Sequence, residues 1–186
     1  ISLFVHKNGS QYQLQLGVSD DVSPELQAFA DIPTDEWIFI CLNMDASSHT
    51  VNCHYSKNGS TLDIITIDYS DLTSITQSKY FWGFNGNKNN NYYNTHSDRK
   101  AVLYYDDITA WKRCLTESEI KQFILSKVPA GDYSSMDYYF PCNNLAVKYN
   151  SINADANMTV CNVGYETGKF GQSAKIDSAL KQKAYF

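Results

Sequence analysis

A chain of 186 residues with 43% hydrophobic content is long enough to bury the core of one large all-β domain. Its formal net charge of −5 offers no basic surface to neutralise phosphates, which excludes nucleic acid as a partner. No run of ~18 consecutive apolar residues occurs, so no membrane span is expected. Residue 1 is Ile and no leader-like segment opens the chain, so it reads as an excised piece of something longer.

The first predicted element is a hairpin. Ile1, Leu3 and Val5 alternate, and Lys7-Asn8-Gly9-Ser10 supplies a turn. Asn-Gly favours type I′, which needs positive φ at both central residues. Gln11 to Leu16 then alternates strictly. Tyr12, Leu14 and Leu16 are expected on the core side, with Gln11, Gln13 and Gln15 towards water or a partner. Residues 18–35 read as a polar loop with Pro24 and Pro33. Trp37 to Leu42 is apolar on both faces, which predicts a central strand. A strand over 50–55 returns across Asp45–Ser48, with Val51, Cys53 and Tyr55 inward. Lys57-Asn58-Gly59-Ser60 repeats the first turn chemistry. Residues 62–69, 79–84 and 101–111 are further predicted strands, and 85–98 is a long polar loop. After residue 131 the strand pattern resumes at 136–140, 158–162 and 168–174.

One helix is expected, over 117–126. Thr116 and Glu119 have the spacing of a capping box, in which each side chain satisfies the other residue's backbone N–H. Ile120, Phe123 and Ile124 supply its apolar stripe, and Pro129 lies beyond its end. There are five cysteines, Cys41, Cys53, Cys114, Cys142 and Cys161. Their spacing does not suggest zinc. Cys41 and Cys53 flank one turn and sit near-opposite in a hairpin, where either a disulfide or two free thiols fits. Cys142 and Cys161 are a second conceivable pair, and an odd total leaves one thiol over.

The run Tyr105-Asp106-Asp107-Ile108-Thr109-Ala110-Trp111-Lys112-Arg113, continuing through Leu115, Thr116, Glu119 and Ile120, resembles the closing strand and helix of laminin G-like, or concanavalin A-like, domains. Trp37-Ile38, the Tyr55 to Gly59 hairpin and Gly168-Lys169-Phe170-Gly171 resemble other parts of that family. The resemblance implies an all-β jelly-roll sandwich of two antiparallel sheets with one short helix. Gly168–Gly171 resembles an opening motif but lies near the end, so the order is rotated. Residues 1–131 then form the main part of a sandwich. Residues 132–186 either supply its opening strands or begin a following repeat. Asp106 and Asp107 match acids of the family's closing strand. They are expected to hydrogen-bond a neighbouring turn or to pair with Arg113, and Trp111, Arg113, Thr116 and Glu119 share a structural role.

Related glucanases carry a Glu-x-Asp-x-x-Glu strand that aligns two carboxylates for glycoside hydrolysis. This chain has no such spacing. Glu117 and Glu119 fall on the helix, His6, His49, His54 and His96 are scattered, and no nucleophile motif occurs. The expectation is therefore a protein without enzymatic activity. Asn89, Asn91, Tyr92, Tyr93 and Asp98 are the candidate ligand residues. Amides can bridge sugar hydroxyls and tyrosines can stack on a pyranose, on a loop held by a rigid scaffold. The competing reading of that loop is a plain surface excursion. Asp20 and Asp21, with Asp98, are candidate calcium ligands because calcium takes several oxygens, although no ordered ligand series is present. Asn8, Asn58 and Asn157 begin glycosylation sequons, and turn chemistry alone explains the first two.

The expected function is non-catalytic, lectin-like recognition of glycan on an extracellular, cell or virion surface. The alternative is a decoration or adhesion domain making protein contacts in a larger assembly or repeat array. A rim cluster of Tyr, Asn and Asp would favour the first reading. An amide-rich strand face used for packing would favour the second.

Overall fold

The computed structural model of the chain describes residues 1–19, 26–57, 59, 61–72, 83–84, 102–126, 134–140, 142, 159–161, 164–177 and 183–185. These form antiparallel sheets and one short helix, an all-β fold. The chain packs as two compact units, Ile1–Thr76 with Arg113–Ser126, and Gln77–Lys112 with Lys127–Phe186.

The first unit holds two three-stranded sheets. One has the order β1 (Ser2–Asn8), β2 (Gln11–Val18), β3 (Leu26–Ile32), and the other β4 (Ile38–Asp45), β5 (Thr50–Lys57), β6 (Asp63–Asp68). Leu14, Leu16 and Val18 of β2 share a buried cluster with Val51, Cys53 and Tyr55 of β5 and Ile67 of β6. Period-two alternation delivers them, because each strand aims every second side chain at the opposite sheet. The apolar set expected on β5 is the buried one.

Three details differ from the sequence expectations, and one choice left open there is decided. The first turn lies one residue later than Asn-Gly suggests. Asn8 pairs with Gln11, so Gly9 and Ser10 are the central residues, and Gly9 alone has positive φ, +62°. That is the pattern of a type II′ turn, with glycine first. Residues 26–32 are strand β3 rather than loop. Leu26, Ala28, Ala30 and Ile32 pair with the core-facing residues of β2, and the two alanines give too weak an apolar signal to show the alternation. The apolar strand β4 lies at a sheet edge, with β5 central. Asn43 and Met44 of this strand meet the chain leading into the helix, while Ile40 and Met44 keep exposed side chains. Finally, Cys41 pairs with His54 and Leu42 with Cys53. A register offset of one residue puts Cys41 and Cys53 on opposite faces, and both are free thiols.

The second unit contains β7 (Gly83–Phe84), β8 (Val102–Tyr105), β9 (Ile108–Trp111), β10 (Met136–Phe140), β11 (Thr159–Cys161), β12 (Gly164–Gly168), β13 (Gly171–Asp177) and β14 (Lys183–Tyr185). Its sheets run β12-β13-β8, β11-β14-β7 and β10-β9. The strand expected over 101–111 breaks at Asp106-Asp107, where Asp107 adopts φ +47°. There the chain leaves one sheet for another, since β8 pairs with β13 while β9 pairs with β10. Strands beyond residue 131 thus pair with β7, β8 and β9. Cys142 is buried and free.

Helix α1 spans Glu117–Leu125 and belongs to the first unit. Its capping box is complete: the Glu119 N–H donates to Thr116 Oγ1 at 3.3 Å, and the Thr116 N–H donates to Glu119 Oε2 at 2.8 Å. Ile120 and Ile124 are its buried residues.

Candidate functional site

The residues named from sequence as ligand or calcium candidates, Asn89, Asn91, Tyr92, Tyr93, Asp98, Asp20 and Asp21, lie outside the described residues. Three other places in the described fold gather polar chemistry.

The first is the outer face of β1-β2-β3. Leu14 and Leu16 turn inward, so Gln11, Gln13 and Gln15 must turn outward. Gln13 sits opposite Asp31 in the ladder, and its Nε2 donates to Asp31 Oδ1 at 2.8 Å. Asn8 Nδ2 donates to Gln13 Oε1 at the long distance of 3.5 Å. A row of amide, amide and carboxylate therefore crosses all three strands. Beside it Phe29, opposite Gln15 in the ladder, is 45% exposed. The sequence reading marked the three glutamines but missed Phe29 and Asp31, which lie on the strand it took for a loop. The signal that finds them is the Leu26-Ala28-Ala30-Ile32 alternation.

The second is the turn at Asp106-Asp107. Asp106 Oδ2 accepts the Phe170 N–H at 2.9 Å. The Gly168 to Gly171 turn is thereby tied to the β8–β9 break. A Cβ at Gly168 would lie 2.6 Å from Asp106 Oδ2 and 2.9 Å from the Gln172 backbone, so only glycine permits this approach. Of the two roles open to the paired acids, Asp106 takes the turn. Tyr139 Oη donates to Asp107 Oδ1 at 2.8 Å. Cys142 lies close enough for both carboxylates to oppose its ionisation, but burial is the larger cause that pushes its thiol upward. The second carboxylate oxygen of Asp106 is buried without a hydrogen-bond partner. Among the described residues no group of three or more His, Cys, Asp or Glu is arranged to hold a metal ion. The turn reads as a structural lock.

The third place is the side of β4-β5 that carries Cys41, Asn43 and His54. Asn43 bridges the approach to α1. Its Nδ2 donates to the Leu115 carbonyl at 2.8 Å, and its Oδ1 accepts the Leu115 N–H at 3.1 Å. Cys114 Sγ donates to the Met44 carbonyl at 3.3 Å. Arg113 forks onto Glu119 at 2.6 and 2.9 Å, and with the Thr116 bonds this holds the Glu119 carboxyl down at about 2. Trp111, in the second unit, donates from Nε1 to Thr109 Oγ1 at 3.1 Å. Cys41 and His54 are direct cross-strand neighbours, the arrangement from which a nucleophile and base could be built. Burial, with Cys114 adding to it, pushes the Cys41 thiol up to about 11. Burial also lowers His54, with Glu117 opposing. A thiol held protonated at neutral pH is a poor nucleophile.

No family model, curated protein or solved structure matches the chain.

Proposed function

We propose that the chain is a non-catalytic recognition module that binds carbohydrate in the manner of a lectin. The observation that carries this reading is the open face of β1-β2-β3, where a hydrogen-bonded amide row runs beside an exposed phenylalanine. Side-chain amides offer both donors and acceptors, as sugar hydroxyls do. An exposed aromatic ring suits the apolar face of a pyranose. The resemblance to laminin G-like domains adds a jelly-roll scaffold to the proposal and a setting on an extracellular, cell or virion surface. A single weak site of this kind gains avidity when the module is repeated or assembled.

The second reading is a decoration or adhesion domain whose contacts are with protein. It is favoured by the amide face itself, which can pack as well as bind, and by Ile40 and Met44, which stay 37% and 44% exposed on edge strand β4. The test is a glycan array probed with the purified chain, with calcium and with chelator. Saturable binding is the expected result. A folded protein that binds no glycan in either condition removes the lectin reading and leaves the protein-contact one. Binding lost with chelator alone would move attention to the acidic residues Asp20, Asp21 and Asp98.

A further inference from the structure

Resting on the lectin reading, we infer that the ligand is an uncharged oligosaccharide lying across the outer face of β1-β2-β3, with one ring stacked on Phe29 and hydroxyls paired along Asn8, Gln13 and Asp31.

Charge comes first. Among the described side chains of this face none is Lys or Arg, and Asp31 is the one carboxylate. One Asp31 oxygen already accepts from Gln13. Among the described side chains of this face, anionic glycans and phosphorylated ligands meet no lysine or arginine, and a basic peptide meets one partly engaged acid. A neutral, hydroxyl-rich chain matches both the charge and the donor–acceptor balance.

Geometry comes second. Phe29 and Asp31 are two residues apart on β3, roughly 6.6 Å, and β2 lies about 4.8 Å to the side. A pyranose over Phe29 therefore brings its hydroxyl edge over Gln15 and the Gln13–Asp31 bond. The next ring falls over the row itself. The bond between Gln13 and Asp31 also fixes the amide before ligand arrives. A free glutamine side chain gives up rotamer entropy when it is ordered, and the existing bond has already met part of that cost. Because the contacts are amides, an aromatic ring and a carboxylate already bonded to Gln13, binding needs no metal.

The test is titration calorimetry with the strongest neutral oligosaccharide found on the array, run in chelator. The proteins are the parent chain, Phe29→Ala, Gln13→Ala and the double variant Tyr92→Ala/Tyr93→Ala. Unchanged thermal unfolding of the two face variants shows that they are folded, and two separate substitutions guard against failure of either. We expect each face substitution to weaken binding about tenfold and the tyrosine pair to leave it intact. Neutral-glycan binding that survives both face substitutions, or that disappears in Tyr92→Ala/Tyr93→Ala alone, overturns the site while the lectin reading stands. A preference for anionic glycans, or a requirement for calcium, overturns the ligand class. Absence of all glycan binding overturns both readings. Self-association of the parent chain that Phe29→Ala abolishes would reassign the face to protein contact.

Discussion

At the scale of single residues, Asn43 carries more than its edge-strand position suggests. Its amide satisfies both the N–H and the carbonyl of Leu115, 72 residues away in sequence. Neither Leu115 group belongs to the helix or to a sheet ladder, so removal of Asn43 leaves two part-buried polar groups to find water. Asn43→Ala is expected to lower stability by about 1–3 kcal/mol. The readout is a lower urea midpoint at unchanged slope. A midpoint equal to the parent's would show that water replaces the bridge at no cost. The thiols also sort at this scale. Burial pushes Cys41 up to about 11 and Cys53 up to about 12, with a neighbouring cysteine adding to each, whereas Cys114 is exposed. Both raised thiols lie on one hairpin, and they stay unpaired because their register faces them apart.

At the scale of elements, α1 is short, and its first turn is where charge and backbone meet. Nine residues are too few for a helix to persist unaided, so capping and packing decide whether it forms. Glu119 accepts from the Thr116 N–H and from the fork of Arg113, and its carboxyl is held at about 2 against an ordinary 4.5. A carboxyl depressed on folding stabilises the fold above its unfolded pKa and loses that contribution as pH falls through the folded value. The window here runs from about pH 4.5 down to about pH 2. Glutamine at this position keeps the capping geometry but removes the charge. Glu119→Gln is expected to have a lower urea midpoint than the parent at pH 7, with the gap closing between those limits. The gap is expected to be modest, since the Glu119 carboxylate is 32% exposed and exposed ion pairs contribute little. A gap that persists unchanged at pH 2 would remove the carboxylate from the account. In the second unit, Asp106 and Gly168 make a comparable device, tying a hairpin turn to a strand break without a helix.

At the scale of the whole molecule, the first unit depends on one apolar cluster shared by two small sheets. Leu16 is fully buried within it. Leu16→Ala is expected to cost about 2–5 kcal/mol through lost burial and the cavity left behind. Phe29, on the opposite face of the same sheet, is 45% exposed. Its truncation to alanine is expected to change stability by well under 1 kcal/mol, as exposed substitutions usually do. Chemical denaturation of the two variants side by side tests the division of this sheet into a structural face and a binding face. Comparable losses from both would mean that the outer face is packed rather than open.

Much of the organisation was legible in the sequence because it rests on local physics. Alternation picked out β2 and β5 and their inward residues. The Thr116–Glu119 spacing identified the helix cap, and the paired aspartates marked a place where something had to be hydrogen-bonded. What local pattern does not carry is pairing register and neighbourhood. A one-residue offset separates Cys41 from Cys53, and only the ladder reveals it. β3 was hidden because alanine is weakly apolar, and it becomes a strand through the partner that β2 offers it. Hidden with it were Asp31 and Phe29, so the amide row appeared in the sequence only as three glutamines on one side of one strand. The tertiary structure decided which turn Asp106 holds and which segment Asn43 clamps, because each of those bonds joins residues more than 60 positions apart. Periodicity and capping are properties of a few neighbouring residues, whereas contacts between distant segments exist only once the chain has closed on itself.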